Sequence, residues 1–382
     1  MGKLRSKAPN KSLPEKRKSK RKTAARLLRN PDLLFFWSEK GFLARDLRTG
    51  RETVTRAEIV SVLDFFSRPR RRSTAAEAFG KTPAGSTTQT IDKLLRLGLL
   101  VSEPEGRRRT ALLKIWKNNV ASAHYHGACR DAHYLQRIDA VRKYLRGRVA
   151  SERRPAPFKR YSSRFRRPLH RPETPELSST PLGEVLESRR TVRSFSREAV
   201  RFEDLAAVVG GTWGQTGWIV DKIVGRLLSK TSPSSGALHP IECYVLAWNV
   251  RGLPAGLYHF DVASDGFRRL RPGDFRDQAV RAASGQRWIR GAAFLCVMAA
   301  VFTRNLWKYQ WDRAYRSVWL DAGHLAQTFS LLATARGLGP FTTAAIQDSY
   351  IEKLIGLDGV KEFPIYLCGA GMPSEPLLHL SR

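Results

Sequence analysis

This chain is poor in sulfur and in acid. Its 382 residues hold 4 cysteines and 3 methionines, and 34 Asp and Glu stand against 67 Lys and Arg. Cys129, Cys243, Cys296 and Cys368 lie far apart, with no CxxC and no metal-ligand spacing, and three of them sit in apolar runs that read as buried strands. A disulfide scaffold and a zinc knuckle are therefore excluded, and reduced core thiols in a cytosolic protein are expected. Long hydrophobic stretches are missing as well. AAFLCVMAAVF, residues 292–302, is too short to span a bilayer and reads as a buried strand. The basic start has no apolar secretory segment, so no membrane partner is expected. No internal repeat is visible.

What is present is a globular composition with a large charge surplus. Hydrophobic residues make up 42% and aromatic residues 10%, which suits packed domains, and the length suits two or three of them. The net charge of +33 attracts nucleic acid, acidic peptides or an anionic cofactor without choosing among them.

Residues 1–30 carry 12 Lys and Arg against Glu15 and have little to bury, which predicts a disordered basic arm. Residues 31–150 read as a small module with a helical extension. DLLFFW and GFLARDL suggest short strands, and VTRAEIVSVLDFFSRP suggests a helix capped by Thr55, with Ile59, Val60, Leu63 and Phe66 inward. Two more helices and a strand near Leu99 give the order of a winged helix, with RRRTALLKIW continuing the wing. An amphipathic helix follows, with Tyr134, Ile138, Val141 and Leu145 on one side. His124, His126 and His133 lie close together, but no carboxylate or thiolate completes a ligand set, and no metal site is assigned. Residues 151–180, rich in Arg, Ser and Pro, read as a linker, and residues 181–382 as an α+β domain.

The α+β part is organised around one long helix. Tyr315, Val318, Trp319, Ala322, Ala326, Phe329 and Ala333 form its apolar stripe, while Asp321 falls on another face, and Gly337, Gly339 and Pro340 stop it near Arg336. Just upstream stands Lys308-Tyr309, two proton-transfer groups between Trp307 and Trp311. Ahead of these, SRRTVRSF offers three guanidiniums and two hydroxyls to a phosphate or an electron-rich ring. TSPSSGALHP then offers a small-residue loop whose backbone can approach a ligand, leading into a buried strand. A bland basic turn, a plain Ser/Pro loop and a surface lysine are the competing readings of these three features.

The ordered series RRTVRSF, PSSGALHPIECYVL, GLYHFD, KYQWDRAYRSVWLDAGHLAQ, GLGPFTTAAI and IYLCGAG resembles the nitroreductase superfamily, and within it the SagB-type dehydrogenases that act on ribosomally made peptides. The resemblance implies an FMN-binding fold, an antiparallel-rich sheet flanked by helices, with the flavin held between two copies of the chain. It points to Arg189, Arg190, Thr191 and Arg193 against the flavin phosphate and pyrimidine edge. It points also to Pro233, Ser234, Ser235 and Gly236 as a covering loop, and to Thr342, Thr343 and Ala344 within the segment facing the reactive nitrogen. Lys308 and Tyr309 stand where peptide-azoline dehydrogenases carry a Lys-Tyr pair. Three departures are visible. Met372-Pro373-Ser374-Glu375 stands where a basic phosphate holder is frequent, Ala344-Ala345 replaces a common Gly-Gly, and His239 replaces an aromatic residue.

The expected function is an FMN-dependent dehydrogenase that oxidises azoline rings to azoles in a precursor peptide, alongside a cyclodehydratase, with the N-terminal module gripping the leader. Two other readings stand beside it. One is an NAD(P)H-dependent nitro- or quinone reductase, and the other is a basic nucleic-acid-binding winged-helix protein with a vestigial flavin fold, nucleic acid being the less favoured partner.

Overall fold

The computed structural model describes residues 26–49, 51–79, 81–82, 85–115, 121–122, 125–126, 129, 135, 137–169 and 180–376. The basic arm up to residue 25, His124, His133, Tyr134 and residues 170–179 of the expected linker lie outside the described residues. The chain divides into two compact units, residues 1–132 and 133–382. Among the described residues no helix is long and apolar enough to cross a membrane.

In the first unit, β1 (Leu27–Arg29) is followed by the antiparallel sheet of β2 (Leu33–Ser38), β3 (Gly41–Asp46) and β4 (Glu52–Val54). Helix α1 (Ile59–Phe65) starts four residues after Thr55 and turns Val62, Leu63 and the adjoining Phe66 inward, leaving Val60 43% exposed. Helix α2 (Arg72–Phe79) leads through the short strands β5 (Lys81–Thr82) and β6 (Gly85–Ser86) to α3 (Thr87–Arg96). A capping box of Ser86 and Gln89 opens α3, satisfying donors at its first turn. Strand β7 (Leu100–Ser102) then pairs antiparallel with β1. The expected succession of three helices and a strand is therefore present.

The continuation is not a wing. Residues 103–115 form helix α4 (Glu103–Ile115). Glu103 and Glu105 in its first turn reach Arg107, Arg108 and Arg109 at helical spacing. Arg109 also donates to Asn30 and Asp32 over 3.1 Å and to Asp46 over 3.2 Å, all three buried. A strand would point alternate arginines away from these partners.

The second unit opens with helix α5 (Ile138–Ser151), on which Leu145 is buried and Ile138 is 67% exposed. Its centre is a seven-stranded antiparallel sheet, in the order β17-β18-β16-β12-β14-β15-β8. These strands are β8 (Arg166–Pro168), β12 (Ile241–Ala247), β14 (Gly256–Asp261), β15 (Gly266–Pro272), β16 (Phe294–Val301), β17 (Gly339–Thr343) and β18 (Glu362–Gly371). Strand β12 is buried along its whole length because both sheet faces are covered, hence its unbroken apolar run. Cys243 and Val245 join one core with α7 (Phe202–Trp213) and α10 (Arg313–Ala335), while Tyr244 and Leu246 join the other with α8 (Arg276–Ala282) and α11 (Asp348–Ile355). The described part of the expected linker belongs to this unit, since β8 is its edge strand and Lys159 donates to Tyr244 over 2.8 Å and pairs with Glu362.

Helix α10 follows its stripe with one exchange. Val318, Ala322, Ala326, Phe329 and Ala333 are buried, but Trp319 is 46% exposed and Asp321 is buried in its stead. Gly337, at φ +70°, ends the helix, with its N–H on Thr334 and that of Leu338 on Ala333. The helices α6 (Leu182–Ser188) and α9 (Thr303–Lys308), the pair β9 (Val200–Arg201) and β13 (Val250–Arg251), and the hairpin of β10 (Gln215–Asp221) and β11 (Gly225–Lys230) complete the unit. The hairpin is not legible in the pattern, because Trp218, Ile219 and Val220 are consecutive and all at least partly exposed.

Candidate flavin site

The loop from β11 to β12 is held from several sides. The Ser234 hydroxyl accepts from the His239 N–H over 2.9 Å and donates to Asp321 Oδ2 over 2.5 Å, and the Ser235 N–H reaches Asp321 Oδ1 over 3.2 Å. Ser232 bonds Thr328 over 2.6 Å. Gly236, Ala237 and His239 all take positive φ, at +66°, +53° and +43°. Two non-glycine residues in that region cost roughly 1–2 kcal/mol each, strain that the anchoring bonds must offset. Burial pushes the Asp321 carboxyl above its ordinary pKa, against the bonds from Ser234 and Ser235 that favour its charge.

Lys308 and Tyr309 close on this loop. A Cβ built on Gly236 would lie 2.7 Å from the Tyr309 hydroxyl and 2.8 Å from Lys308 Nζ, so any side chain there would make the two tips shift. The pair ends α9, whose last carbonyls are satisfied from α5: Tyr144 donates to Lys308 O over 2.9 Å and Arg148 to Trp307 O over 2.8 Å. The indole of Trp307 donates to Glu152 O over 3.1 Å. Burial lowers the Lys308 ammonium from its ordinary pKa, Arg154 lowers it further, and Asp221 opposes both. Tyr309, Trp311, Ser235, Ser317 and Leu320 line a cavity of about 330 Å³ beside the pair.

Behind the loop lies a buried charge cluster that sequence reasoning missed. Arg304 donates to the His239 carbonyl over 3.1 Å, to Ala156 O over 3.0 Å and to Glu242 over 2.6 Å. His259 takes the other Glu242 oxygen at 2.8 Å. Burial raises the Glu242 carboxyl, but Arg304, His259 and Lys230 outweigh it and hold the group far below the ordinary carboxylate range. Burial pulls Lys230 down to about 8. Burial and Lys230 lower His239 to about 3, leaving a neutral ring whose Nε2–H donates to Leu228 O over 3.0 Å. His239 is thus a loop anchor.

The arginine segment lies at the other end of α10. Val192 N–H bonds Pro340 O over 2.9 Å, and the close approach of Val192 requires Gly339, where a Cβ would come within 2.7 Å. Arg193 lies 5.7 Å over the Trp288 ring, and Arg190 donates to the carbonyls of Glu187 and Arg189. Thr342 accepts from Tyr366 over 3.0 Å, Thr343 accepts from Gln286 over 2.9 Å and from the Ala345 N–H, and Ala344 is exposed. The Met372–Glu375 stretch is zipped onto this segment, with Ser196 N–H on Met372 O and the Ser374 and Ser194 hydroxyls 2.8 Å apart.

The structure therefore joins Ser234, Ser235 and Gly236 to Lys308 and Tyr309, and joins the segment that carries Arg189, Arg190, Thr191 and Arg193 to the start of β17 through Val192. It does not bring the two groups together within one chain. Asp321 and Ala335 mark the two ends, about 21 Å apart along α10. The residues fit a flavin phosphate and ring: Arg189 and Arg193 make no ion pair with a described residue, and the strained loop brings backbone close to an amine whose pKa burial lowers.

Comparison with known proteins bears on this geometry. Residues 186–372 match the family described as Nitroreductase family. The chain is 29% identical over 203 residues to a Methanocaldococcus jannaschii protein assigned to the nitroreductases, covering 53% of this chain and 96% of that one. It is 24% identical over 290 residues to the trifolitoxin operon protein TfxC of Rhizobium leguminosarum bv. trifolii, covering 74% of this chain and 80% of the other. Over 131 residues it is 30% identical to the microcin B17-processing protein McbC of Escherichia coli, covering 33% of this chain and 48% of that relative. With six of the seven strands of the sheet, the long helix and the arginine segment inside the matched stretch, residues 186–372 of this chain form a Nitroreductase family domain.

Proposed function

We propose that the protein is an FMN-dependent dehydrogenase of the SagB type, oxidising azoline rings in a ribosomally synthesised precursor peptide. The observation that carries this reading is the contact of Gly236 with Lys308 and Tyr309, which sets a proton acceptor against the loop proposed to cover the flavin. The relatives named for a trifolitoxin operon and for microcin B17 processing support a peptide as substrate, and a cyclodehydratase would be the source of the ring.

Arg189, Arg190, Thr191 and Arg193 would hold the phosphate and pyrimidine edge, Thr342 to Ala344 would lie along the ring, and Pro233 to Gly236 would cover it from a second copy of the chain. The anchoring of the two groups at different points along α10 suits a homodimer, in which the loop of one chain would meet the flavin of the other. Bound FMN supplies the two-electron sink for the hydride leaving the ring. Lys308 Nζ takes the proton from the adjacent carbon, burial having lowered its pKa so that more of it is neutral, and the Tyr309 hydroxyl relays that proton outward.

Purified protein loaded with FMN and given a peptide containing thiazoline should yield a product lighter by H₂ per ring in mass spectrometry. Rapid NAD(P)H oxidation with nitroaromatic turnover, and no change in the peptide, would replace this reading with that of a small-molecule reductase.

A further inference from the structure

Between the arginine segment and α11 lies a concentration of charge of which the proposed reaction uses only Arg193. Two cavities of about 630 and 600 Å³ adjoin there, sharing Arg290 as a common wall. In the first, Arg193, Arg197 and Arg287 are exposed and make no ion pair with a described residue, above a floor that includes Trp288. In the second stand Arg281 and Lys353, also exposed, beside Tyr350. The carboxylates nearby are already engaged, Asp277 with Arg290 and Asp274 with Arg276 at 3.4 Å. Seven cationic side chains thus meet two carboxylates along one groove.

Charge alone would suit an acidic peptide or a nucleic acid, and the aromatic rings separate the two. Single-stranded nucleic acid is held largely by bases stacked on open aromatic faces. Here one face of each ring already carries a guanidinium: Arg193 lies 5.7 Å over Trp288 and Arg281 lies 4.3 Å over Tyr350. A guanidinium laid flat on a ring keeps its N–H edge free, and that edge matches a carboxylate with two parallel hydrogen bonds. The groove also reaches the chemistry, since Trp288 packs at 4.7 Å against Phe341 of β17, next to Thr342.

We propose that this groove binds a carboxylate-rich extended stretch of the peptide substrate and so presents its neighbouring residues at β17. The idea rests on the reading of the protein as a peptide dehydrogenase, but its test uses binding alone. The probe is a fluorescein-labelled peptide of repeated Glu-Gly-Ser units, followed by anisotropy on the full chain, with a Gln-Gly-Ser peptide and an oligothymidine of equal length beside it. Three double variants are compared: Arg197→Glu with Arg287→Glu, Arg281→Glu with Lys353→Glu, and Arg68→Glu with Arg71→Glu as an equal charge change in the other unit.

Both groove pairs should weaken the Glu peptide by about tenfold or more while the Arg68 and Arg71 pair stays within about twofold. The Gln peptide should bind weakly to every form. Equal losses in all three double variants would reduce the effect to bulk charge and overturn the proposal. A larger loss for oligothymidine than for the Glu peptide in the groove variants would assign the site to nucleic acid instead. Because no flavin reduction is read, a failed oxidation assay leaves this result standing, and a failed binding assay leaves the flavin reading standing.

Discussion

Arg304 and Glu242 meet over 2.6 Å with each side chain 5% exposed, and the same guanidinium holds the carbonyl of His239 at the end of the loop between β11 and β12. The loop is therefore fixed from a buried ion pair. Removing one partner leaves an uncompensated charge, so Glu242→Gln should cost about 3–5 kcal/mol of stability, read from denaturant unfolding.

Acid should weaken the same region in two stages. His239 is lowered to about 3 and its unfolded counterpart titrates near 6.5, so its contribution is complete above about pH 6.5 and falls as pH drops toward 3. Glu242 is lowered too, and its contribution, complete above about pH 4.3, is lost as pH falls below that value. The thermal midpoint should decline steadily below about pH 6.5 and more steeply below about pH 4.3, with the first stage flattened in His239→Gln. A midpoint unchanged between neutral pH and about pH 4 would contradict this.

Position 236 favours glycine. Gly236→Ala adds strain at φ +66° and drives a methyl into Tyr309 and Lys308. Loss of about 1–2 kcal/mol of stability is expected from the backbone alone. A weaker FMN affinity should accompany it, measured by flavin fluorescence on titration. Retained affinity would mean that the loop lies away from the cofactor.

Lys308→Met should keep the flavin and lose oxidation by about 10²–10⁴-fold, the range for removal of a general base. In the unaltered protein, activity should rise with pH through a midpoint below the ordinary lysine value of about 10.4, because the base works deprotonated and burial lowers its pKa. That limb should vanish in the variant. A Lys308→Met enzyme with normal turnover would return this side chain to a packing role.

Leu320 is 59% exposed on α10, beside the 46% exposed Trp319. If two copies pack there to complete the flavin site, Leu320→Asp should give monomers in sedimentation and lose FMN together with dimerisation. Monomers that bind FMN with full affinity would remove the need for a second chain.

The scaffold was legible where burial is two-sided. The apolar runs of β12, β16 and β18 and the stripe of α10 with its stop at Gly337 declare themselves because each element faces a core along its length. Reading failed where a charge is buried. Asp321 stands between Val318 and Ala322 and falls outside the apolar stripe, yet it takes the core position that Trp319 leaves. Its reason for burial, Ser234, is 87 residues away. Arg304 likewise finds Glu242 across 62 residues, a pairing that no local pattern encodes. The misread wing has the same cause, since Arg109 of α4 is drawn to carboxylates on β3 and before β2.

The cysteines give the fold an internal clock. Cys243, Cys296 and Cys368 sit on the three adjacent strands β12, β16 and β18, fully sealed, with burial pushing the Cys243 and Cys368 thiols above their ordinary pKa. Cys129 belongs to the other unit and is buried as well. A thiol reagent should thus find nothing to modify until the sheet separates, and three sulfurs should then react as a block. The timing of the fourth would report separately on the N-terminal half, so one untagged polypeptide records the opening of each half.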